Sequence, residues 1–222
     1  MIIDVITCFY REDFLEPLFK SHYAWTDHQW FLSHQRPDGQ FDDEDKMNWV
    51  NDAIARSAAD WVILVDMDEF VYPTPYGANP RVVLEQEMAA GTGLIYAHMT
   101  RMWRHVNDND IDRTKPPVPQ RLHGQPDHIK PSIFRPSGCR VGAGNHDIHC
   151  DHLLAHGKPW AGAHWANADQ CFWIERETRD RGPRLSERNR QRGHGTHTIR
   201  TKEQIISECE AHKNDPVIIQ LT

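Results

Sequence analysis

The sequence lacks several features that would place a chain in a special class. Its 222 residues contain only five cysteines, an odd number without CxxC spacing, so we expect reduced thiols rather than a disulfide framework. No apolar run approaches the roughly 20 residues of a membrane span, and the first residues lack the basic and apolar regions of a signal peptide. These absences predict a cytoplasmic protein that does not span a membrane. The cysteines are Cys8, Cys139, Cys150, Cys171 and Cys209.

An excess of positive charge is also lacking, because the formal net charge is -7 at pH 7. This argues against indiscriminate nucleic-acid binding by the whole surface. Residues 176–200 differ from the rest, with eight arginines against three acidic residues. This segment predicts either a solvated surface or an anion-binding strip for a diphosphate, a lipid-linked acceptor or a nucleic-acid backbone. A nucleic-acid-binding module is therefore one alternative function, although no known reader motif accompanies the arginines.

What the chain does contain is a regular alternation of strand and helix patterns. The hydrophobic fraction of 39% is enough for a core, and the length suits a single α/β domain over residues 1–222. A β-α-β-α-β order predicts a mostly parallel sheet flanked by helices. The strands are predicted at Ile2–Ile6, Gln29–Leu32 and Trp61–Val65, and the helices at Glu12–Tyr23 and from Asp42 or Asp43 to Ala59.

The second half of the chain has weaker and less regular patterns. Residues 107–125 are polar and rich in proline, which predicts a long mobile loop or a lid. Further elements are predicted as helices at 82–88, 165–176 and 201–212, a strand at 93–99 and an extended segment at 129–135. We therefore expect a loop-rich C-terminal half.

The sequence WVILVDMDEFVY at residues 61–72 joins an apolar strand to three carboxylates. Asp66, Asp68 and Glu69 repel one another when they are close, so a compensating positive charge is expected. Ligands bind at the carboxyl ends of parallel strands, and carboxylate oxygens suit Mg²⁺ or Mn²⁺. The motif therefore predicts a divalent cation site, with a simply solvated strand end as the alternative.

Three segments together resemble a known enzyme family. VITCFYREDFLEPLF, AADW and VILVDMDEFV, all within residues 1–72, resemble the nucleotide-sugar half of a GT-A fold glycosyltransferase, similar to family 2. Residues 130–135, KPSIFR, resemble the Lys-x-x-Ile-x-Arg segment of the same relatives. Residues 163–176 resemble their late His-Tyr-x-x-x-Ser helix start, but Trp165 and Asp169 replace the Tyr and the Ser. The resemblance implies a Rossmann-like sheet, with residues 1–100 as the nucleotide-sugar half and 101–222 as the acceptor-side half.

The resemblance also implies an activity and its residues. We expect metal-dependent transfer of a sugar from a nucleotide sugar, UDP-linked, with inversion, to a hydroxyl acceptor. The acceptor is expected to be a glycan, a lipid-linked saccharide, a protein or a modified nucleic-acid base. By family position, Mn²⁺ or Mg²⁺ is expected to be held by Asp66, Asp68 and His164, with Asp66 also a candidate for ribose contact. The base and ribose pocket is expected from Thr7, Tyr10, Glu12 and His34.

A general base is also needed, because an inverting transfer requires a carboxylate to take the proton of the acceptor hydroxyl. Asp147 is the candidate, since it lies in a ligand-rich loop, residues 146–152, that the resemblance places beside the metal site on the acceptor side. Asp108, Asp110, Asp112 and Asp127 compete with it. The same loop reads GNHD, and GHGTH follows at 193–197, which resemble motifs of metallophosphoesterases. A hydrolase of that kind is a second alternative, but the DxH and GDxxD motifs that would complete its two-metal site are missing.

Overall fold

The computed structural model describes residues 1–9, 12, 14–33, 36, 38–175, 177, 184–193 and 200–215. The strands are β1 (Ile3–Phe9), β2 (His28–Ser33), β3 (Trp61–Leu64), β4 (Glu69–Tyr72), β5 (Leu94–Met102), β6 (Gly124–Phe134), β7 (Cys139–Val141), β8 (Ile148–Cys150) and β9 (Trp160–His164). The helices are α1 (Glu16–His22), α2 (Asp43–Arg56), α3 (Pro80–Ala89), α4 (Gln170–Glu175), α5 (Glu187–Arg192) and α6 (Lys202–His212). None of the helices in these ranges is long and apolar enough to cross a membrane.

Seven of the described strands form one sheet, in the order β2-β1-β3-β6-β5-β9-β4. The N-terminal strands are parallel, as predicted, because β1 pairs in parallel with both β2 and β3. The expectation of a mostly parallel sheet holds only in part for the other strands, because β5 and β9 are parallel. β6 runs antiparallel to β3 and β5, and β4 runs antiparallel to β9. The fold is therefore mixed α/β, and strands from both halves of the chain enter the same sheet.

The core lies on both faces of this sheet. Side chains alternate along a strand, so Ile63 faces a cluster that includes Leu18 of α1 and Leu84 of α3. Its neighbour Val62 faces the opposite cluster, which includes Val50 of α2. Helices therefore cover both faces, and the carboxyl end of β3 is left for polar residues.

The predicted lid at 107–125 is anchored at its C-terminal end in the structure. Arg121 is almost fully buried, with 1% exposure. Its guanidinium donates to the carbonyl oxygens of Ala168 at 2.8 Å and Asn109 at 3.1 Å. A short 3-10 turn, Val118–Gln120, precedes it. Because a buried guanidinium needs such partners, this loop is tied to the segment before α4.

The sheet curls at the edge that carries β4. Only four residues separate β3 from β4, although four strand-to-strand steps lie between them in the sheet order. In a flat sheet those steps would span about 19 Å, whereas five residue-to-residue steps reach at most about 18 Å when fully extended. The link is not extended, because Glu69 N donates to Asp66 O at 3.0 Å. The curl brings β4 back beside the end of β3.

Two of the five cysteines are not reduced, contrary to expectation. Cys139 and Cys150 form a disulfide, whereas Cys8, Cys171 and Cys209 are free thiols. The two bonded residues face each other across the antiparallel pair β7–β8. The sequence did not indicate this pairing, since the register of β7 and β8 decides which cysteines meet.

Candidate functional site

The carboxylates that end β3 lie in a tight turn. Two hydrogen bonds between Asp66 and Glu69 close the turn. Glu69 N donates to Asp66 O, and the carboxylate of Glu69 accepts from Asp66 N at 2.8 Å. Asp68 and Glu69 are buried, while the side chain of Asp66 is 30% exposed. The turn therefore directs the three carboxylates to different neighbours.

Two lysines neutralise the first and third carboxylates. Lys46 of α2 donates to Asp66 at 2.6 Å, and Lys130 of β6 donates to Glu69 at 2.6 Å and to Asp66 at 3.5 Å. Burial lowers the pKa of Lys130, but the charges of Asp66 and Glu69 outweigh it and raise the pKa. Part of the compensating charge that the sequence led us to expect from a cation is thus supplied by Lys46 and Lys130. The assignment of Asp66 to the metal or the ribose stays a prediction.

Asp68 faces an imidazole instead. His164 lies at the end of β9, and its Nε2 is 3.6 Å from Asp68 Oδ2. The backbone fixes this approach, because Glu69 and His164 are partners in the β4–β9 pairing and Trp165 N donates to Asp68 O at 2.7 Å. The structure therefore brings together Asp68 and His164, which the family resemblance placed in one metal site.

A β-bulge in β6 adds two further side chains to this site. Between the pairs His98–Ile129 and Thr100–Pro126, the residues Asp127 and His128 lie opposite the single residue Met99. Bulges of this kind redirect side chains and are frequent beside functional sites. Asp127 Oδ2 lies 2.7 Å from His164 Nδ1 and 3.4 Å from His128 Nδ1. Asp127, His128 and His164 each offer a ligand atom within 4.8 Å of the others.

The charges of these groups depend on one another. Burial lowers the pKa of His164, but the charge of Asp68 and the hydrogen bond with Asp127 outweigh it and raise the pKa to about 9. The nearby carboxylates of Asp127 and Glu69 also raise the pKa of His128. Burial would raise the pKa of Asp127, yet its two histidine partners hold that pKa well below the usual range. The cluster thus favours bound positive charge, as protons or as a cation.

The structure describes only part of the predicted base and ribose pocket. Tyr10 and His34 lie outside the described residues. Thr7 is fully buried within β1, and its hydroxyl has no hydrogen-bond partner among the described atoms. Burial raises the pKa of the Cys8 thiol, and the charges of Asp66 and Glu12 raise it further. Both carboxylates therefore lie near this end of β1. A buried threonine offers a nucleotide little surface.

The predicted base, Asp147, lies on an exposed loop next to the site. Its neighbour His146 contacts His128, with ring centroids 5.1 Å apart. Cys150, part of the ligand-rich loop, is bonded to Cys139 and is not available as a thiolate ligand. Among the competing aspartates, Asp110 pairs with Arg104 at 2.7 Å and Asp112 with Lys115 at 3.1 Å. Asp127 is the one of these competitors that contacts the histidine cluster.

The arginine-rich segment is only partly described. Arg188 and Arg192 of α5 pair with acidic residues on α2, and Arg200 pairs with Glu208 at 3.1 Å. Residues 178–183 and 194–199, which include most of the GHGTH sequence, lie outside the described residues. The described arginines therefore make intramolecular contacts.

Sequence reasoning gave no metal or positioning role to Asp127, His128 and Lys46. A partial signal exists for His128, since residues two apart share one face of a strand and His128 precedes Lys130 by two. The bulge that also turns Asp127 toward the site depends on the register between β5 and β6. A short-range pattern does not report that register.

The fold and the site define a mixed α/β protein with carboxylates and imidazoles gathered at the carboxyl end of β3. No protein-family model and no curated protein matches the chain. Among solved structures, a crystal structure of S. aureus TarS resembles it with a TM-score of 0.37 and 11% sequence identity. The similarity covers 96% of this chain and 43% of that chain, so this chain spans less than half of TarS. A likeness of this degree carries no argument about function.

Proposed function

We propose that the chain is a metal-dependent glycosyltransferase that moves a sugar from a nucleotide sugar, UDP-linked, to a hydroxyl acceptor with inversion. The observation that carries the proposal is the approach of His164 Nε2 to Asp68 Oδ2, at 3.6 Å, beside the end of β3. Support also comes from the DMDEF sequence, which resembles the metal motif of GT-A glycosyltransferases.

The donor set fits a divalent cation. A separation of 3.6 Å is long for a hydrogen bond, but it suits two ligands of one ion, each at about 2.0–2.2 Å. Asp68 supplies a hard oxygen, and a neutral imidazole adds a nitrogen without adding repulsion. Asp68 and His164 would hold the ion, and Mn²⁺ accepts this mixture more readily than Mg²⁺.

The chemistry needs charge stabilisation on the leaving group. A bound cation would stabilise the negative charge that develops on the nucleoside diphosphate as the glycosidic bond breaks. Lys46 and Lys130 keep Asp66 and Glu69 neutralised, so the turn does not repel the diphosphate. We assign Asp147 as the base that takes the acceptor proton, because its exposed loop borders the cluster through His146. The acceptor is a hydroxyl of a glycan, a lipid-linked saccharide, a protein or a modified nucleic-acid base.

Thermal stabilisation by a panel of nucleotide sugars, with and without Mn²⁺, tests the proposal. At a ligand concentration of 100 times Kd, binding stabilises the folded state by about 2.7 kcal/mol, which raises the Tm of a chain of this length by roughly 5–10 °C. We expect this shift for a UDP-sugar with Mn²⁺ and its loss in Asp68→Ala. Asp110→Asn is the control, since that aspartate is exposed and pairs with Arg104.

Two results would overturn the proposal. One is an Asp68→Ala protein that binds UDP and Mn²⁺ as tightly as the parent. The other is a folded parent protein that no nucleotide sugar stabilises with either Mn²⁺ or Mg²⁺.

A further inference from the structure

The β-bulge of β6 places a second imidazole beside His164. The ring centroids of His128 and His164 are 5.6 Å apart, and the two rings are nearly perpendicular. His128 is half-buried, and its Nε2 is shielded from solvent without a hydrogen-bond partner in the described part of the chain. Glu69 Oε1 lies 3.6 Å from that atom, which is long for a hydrogen bond. A buried nitrogen without a partner is costly unless something else binds it.

Asp127 determines which nitrogen of each ring is available. Its Oδ2 lies near Nδ1 of both His128 and His164, and its Oδ1 accepts from Arg101 at 3.0 Å. An ionised carboxylate only accepts hydrogen bonds, so each Nδ1 carries the proton. When a ring gives up its second proton, its lone pair is then on Nε2, the nitrogen that can bind a cation. Carboxylates that hold metal-binding histidines in this way are common second neighbours of metal ions.

We propose that His128 is a second imidazole ligand of the cation and that Asp127 is the positioning residue that fixes both rings with Nε2 toward it. With Asp68, the site then offers two nitrogens and one oxygen to a single ion. Such a donor set selects Mn²⁺, Co²⁺ or Zn²⁺ over Mg²⁺, which prefers oxygen and water. The inference deepens the proposed function. It rests on that function for the role of the ion in sugar transfer, whereas the binding of the ion is independent of it.

The test uses metals alone, without a nucleotide. Co²⁺ is titrated into the metal-free full-length chain, with visible absorption for the ligand environment and calorimetry for the affinity, and Zn²⁺, Mn²⁺ and Mg²⁺ follow by calorimetry. The parent is expected to bind Co²⁺ and Zn²⁺ at least about 100-fold more tightly than Mg²⁺. Circular dichroism and Tm show that each variant is folded.

Three variants separate the roles. His128→Gln is expected to weaken Co²⁺ binding by about 10–100-fold and to change the absorption bands, because a nitrogen ligand is lost. His128→Ala repeats the test if the glutamine variant does not fold. Asp127→Asn is expected to weaken binding by a similar factor while the bands keep their positions, since no ligand is removed. His123→Gln is the control, because that imidazole stacks on His105 and hydrogen-bonds Asp215 O.

Unchanged Co²⁺ affinity and an unchanged spectrum in His128→Gln or His128→Ala would overturn the inference. Equal affinity of the parent for Mg²⁺ and Co²⁺ would do the same. If the Co²⁺ centre depends on His128 but no nucleotide sugar binds, the inference stands and the transferase function fails. If a UDP-sugar binds with Mg²⁺ equally well in parent and His128→Gln, the transferase function stands and the second imidazole is excluded.

Discussion

Asp66 forms ion pairs of different length with two lysines, Lys46 of α2 and Lys130 of β6. The contact with Lys46 is 2.6 Å and that with Lys130 is 3.5 Å, and both lysine side chains are buried. Removing one partner of a buried pair leaves an uncompensated charge, which costs more than the pair contributes when intact. Because Lys130 also binds Glu69 at 2.6 Å, Lys46 depends more strongly on Asp66.

A double-mutant cycle on Lys46→Met and Asp66→Asn measures this dependence. Each single change is expected to lower the free energy of unfolding, and the double variant is expected to lose less than the sum, with a coupling of about 1–3 kcal/mol. Urea unfolding gives the four values. The exposed pair Glu16–Lys20, at 2.5 Å, is the control, with an expected coupling of about 0.3–0.5 kcal/mol. Additive losses at Lys46 and Asp66 would show that the two charges do not interact.

The burial of His22 predicts a pH dependence of stability that is separate from the cluster of Asp127, His128 and His164. Its Nε2 hydrogen-bonds Val71 O at 2.9 Å, its ring packs on Phe70, and burial lowers its pKa from 6.5 to about 4. Between those values the unfolded chain binds a proton that the folded chain does not, so stability falls as the pH is lowered. His22→Gln is expected to show a smaller loss of unfolding free energy from pH 7 to pH 4.5, measured by urea unfolding. Parallel curves for parent and variant would contradict the assignment.

At the scale of secondary-structure elements, hydrogen bonds and ion pairs join α5 to the N-terminal end of α2. Asp42 caps α2 by accepting from Glu44 N and Asp45 N, and the same buried carboxylate accepts from Ser186 and Arg188. Burial would raise the pKa of Asp42, but the hydrogen bonds from Arg188 and Ser186 outweigh it and hold that pKa well below its usual range. One aspartate therefore joins a helix cap to a contact between distant segments.

Arg188→Gln is expected to lower the free energy of unfolding more than Arg192→Gln does, since it leaves the carboxylate of Asp42 buried with fewer partners. It should also expose the amides of α5 to faster hydrogen exchange. Arg192→Gln is the control on the same helix, because Arg192 pairs with the half-exposed Glu44 at 2.8 Å. Its expected effect is within about 0.5 kcal/mol. Equal effects of the two changes would mean that the contact of Arg188 with Asp42 does not join α5 to α2.

Elements with a strong local pattern were predictable from the sequence. The parallel strands β1 and β3 and the start of α2 after Asp42 follow from β-branched runs and a capping aspartate. β9 was not predicted, because Trp160–His164 contains small residues and its pairing comes from β5 and β4. The proximity of Asp68 and His164 was expected from a family resemblance. The position of Asp127 beside His164 depends instead on the β-bulge in β6. Long-range register decides such features, and single-residue patterns carry little of it.

At the scale of the whole molecule, a net charge of -7 and the internal ion pairs of Arg188, Arg192 and Arg200 argue against indiscriminate binding of duplex nucleic acid. We expect no measurable affinity for a 20-base-pair DNA duplex at about 150 mM salt. At lower salt, any weak binding should have a log–log slope close to that of one or two neutralised phosphates. Fluorescence anisotropy over a salt series measures both. A slope corresponding to six or more phosphates would restore the alternative of a nucleic-acid-binding module.

The pairing of Glu69 with His164 has a consequence for the order in which the protein is made. These partners are 95 residues apart in the chain, and synthesis at about 5–20 residues per second separates their appearance by roughly 5–20 s. During that interval the turn at the end of β3 exists without the histidine that faces Asp68. A chain stalled before β9 would therefore carry the carboxylates of the cluster but could not complete it, and the site arises only after most of the chain has been translated.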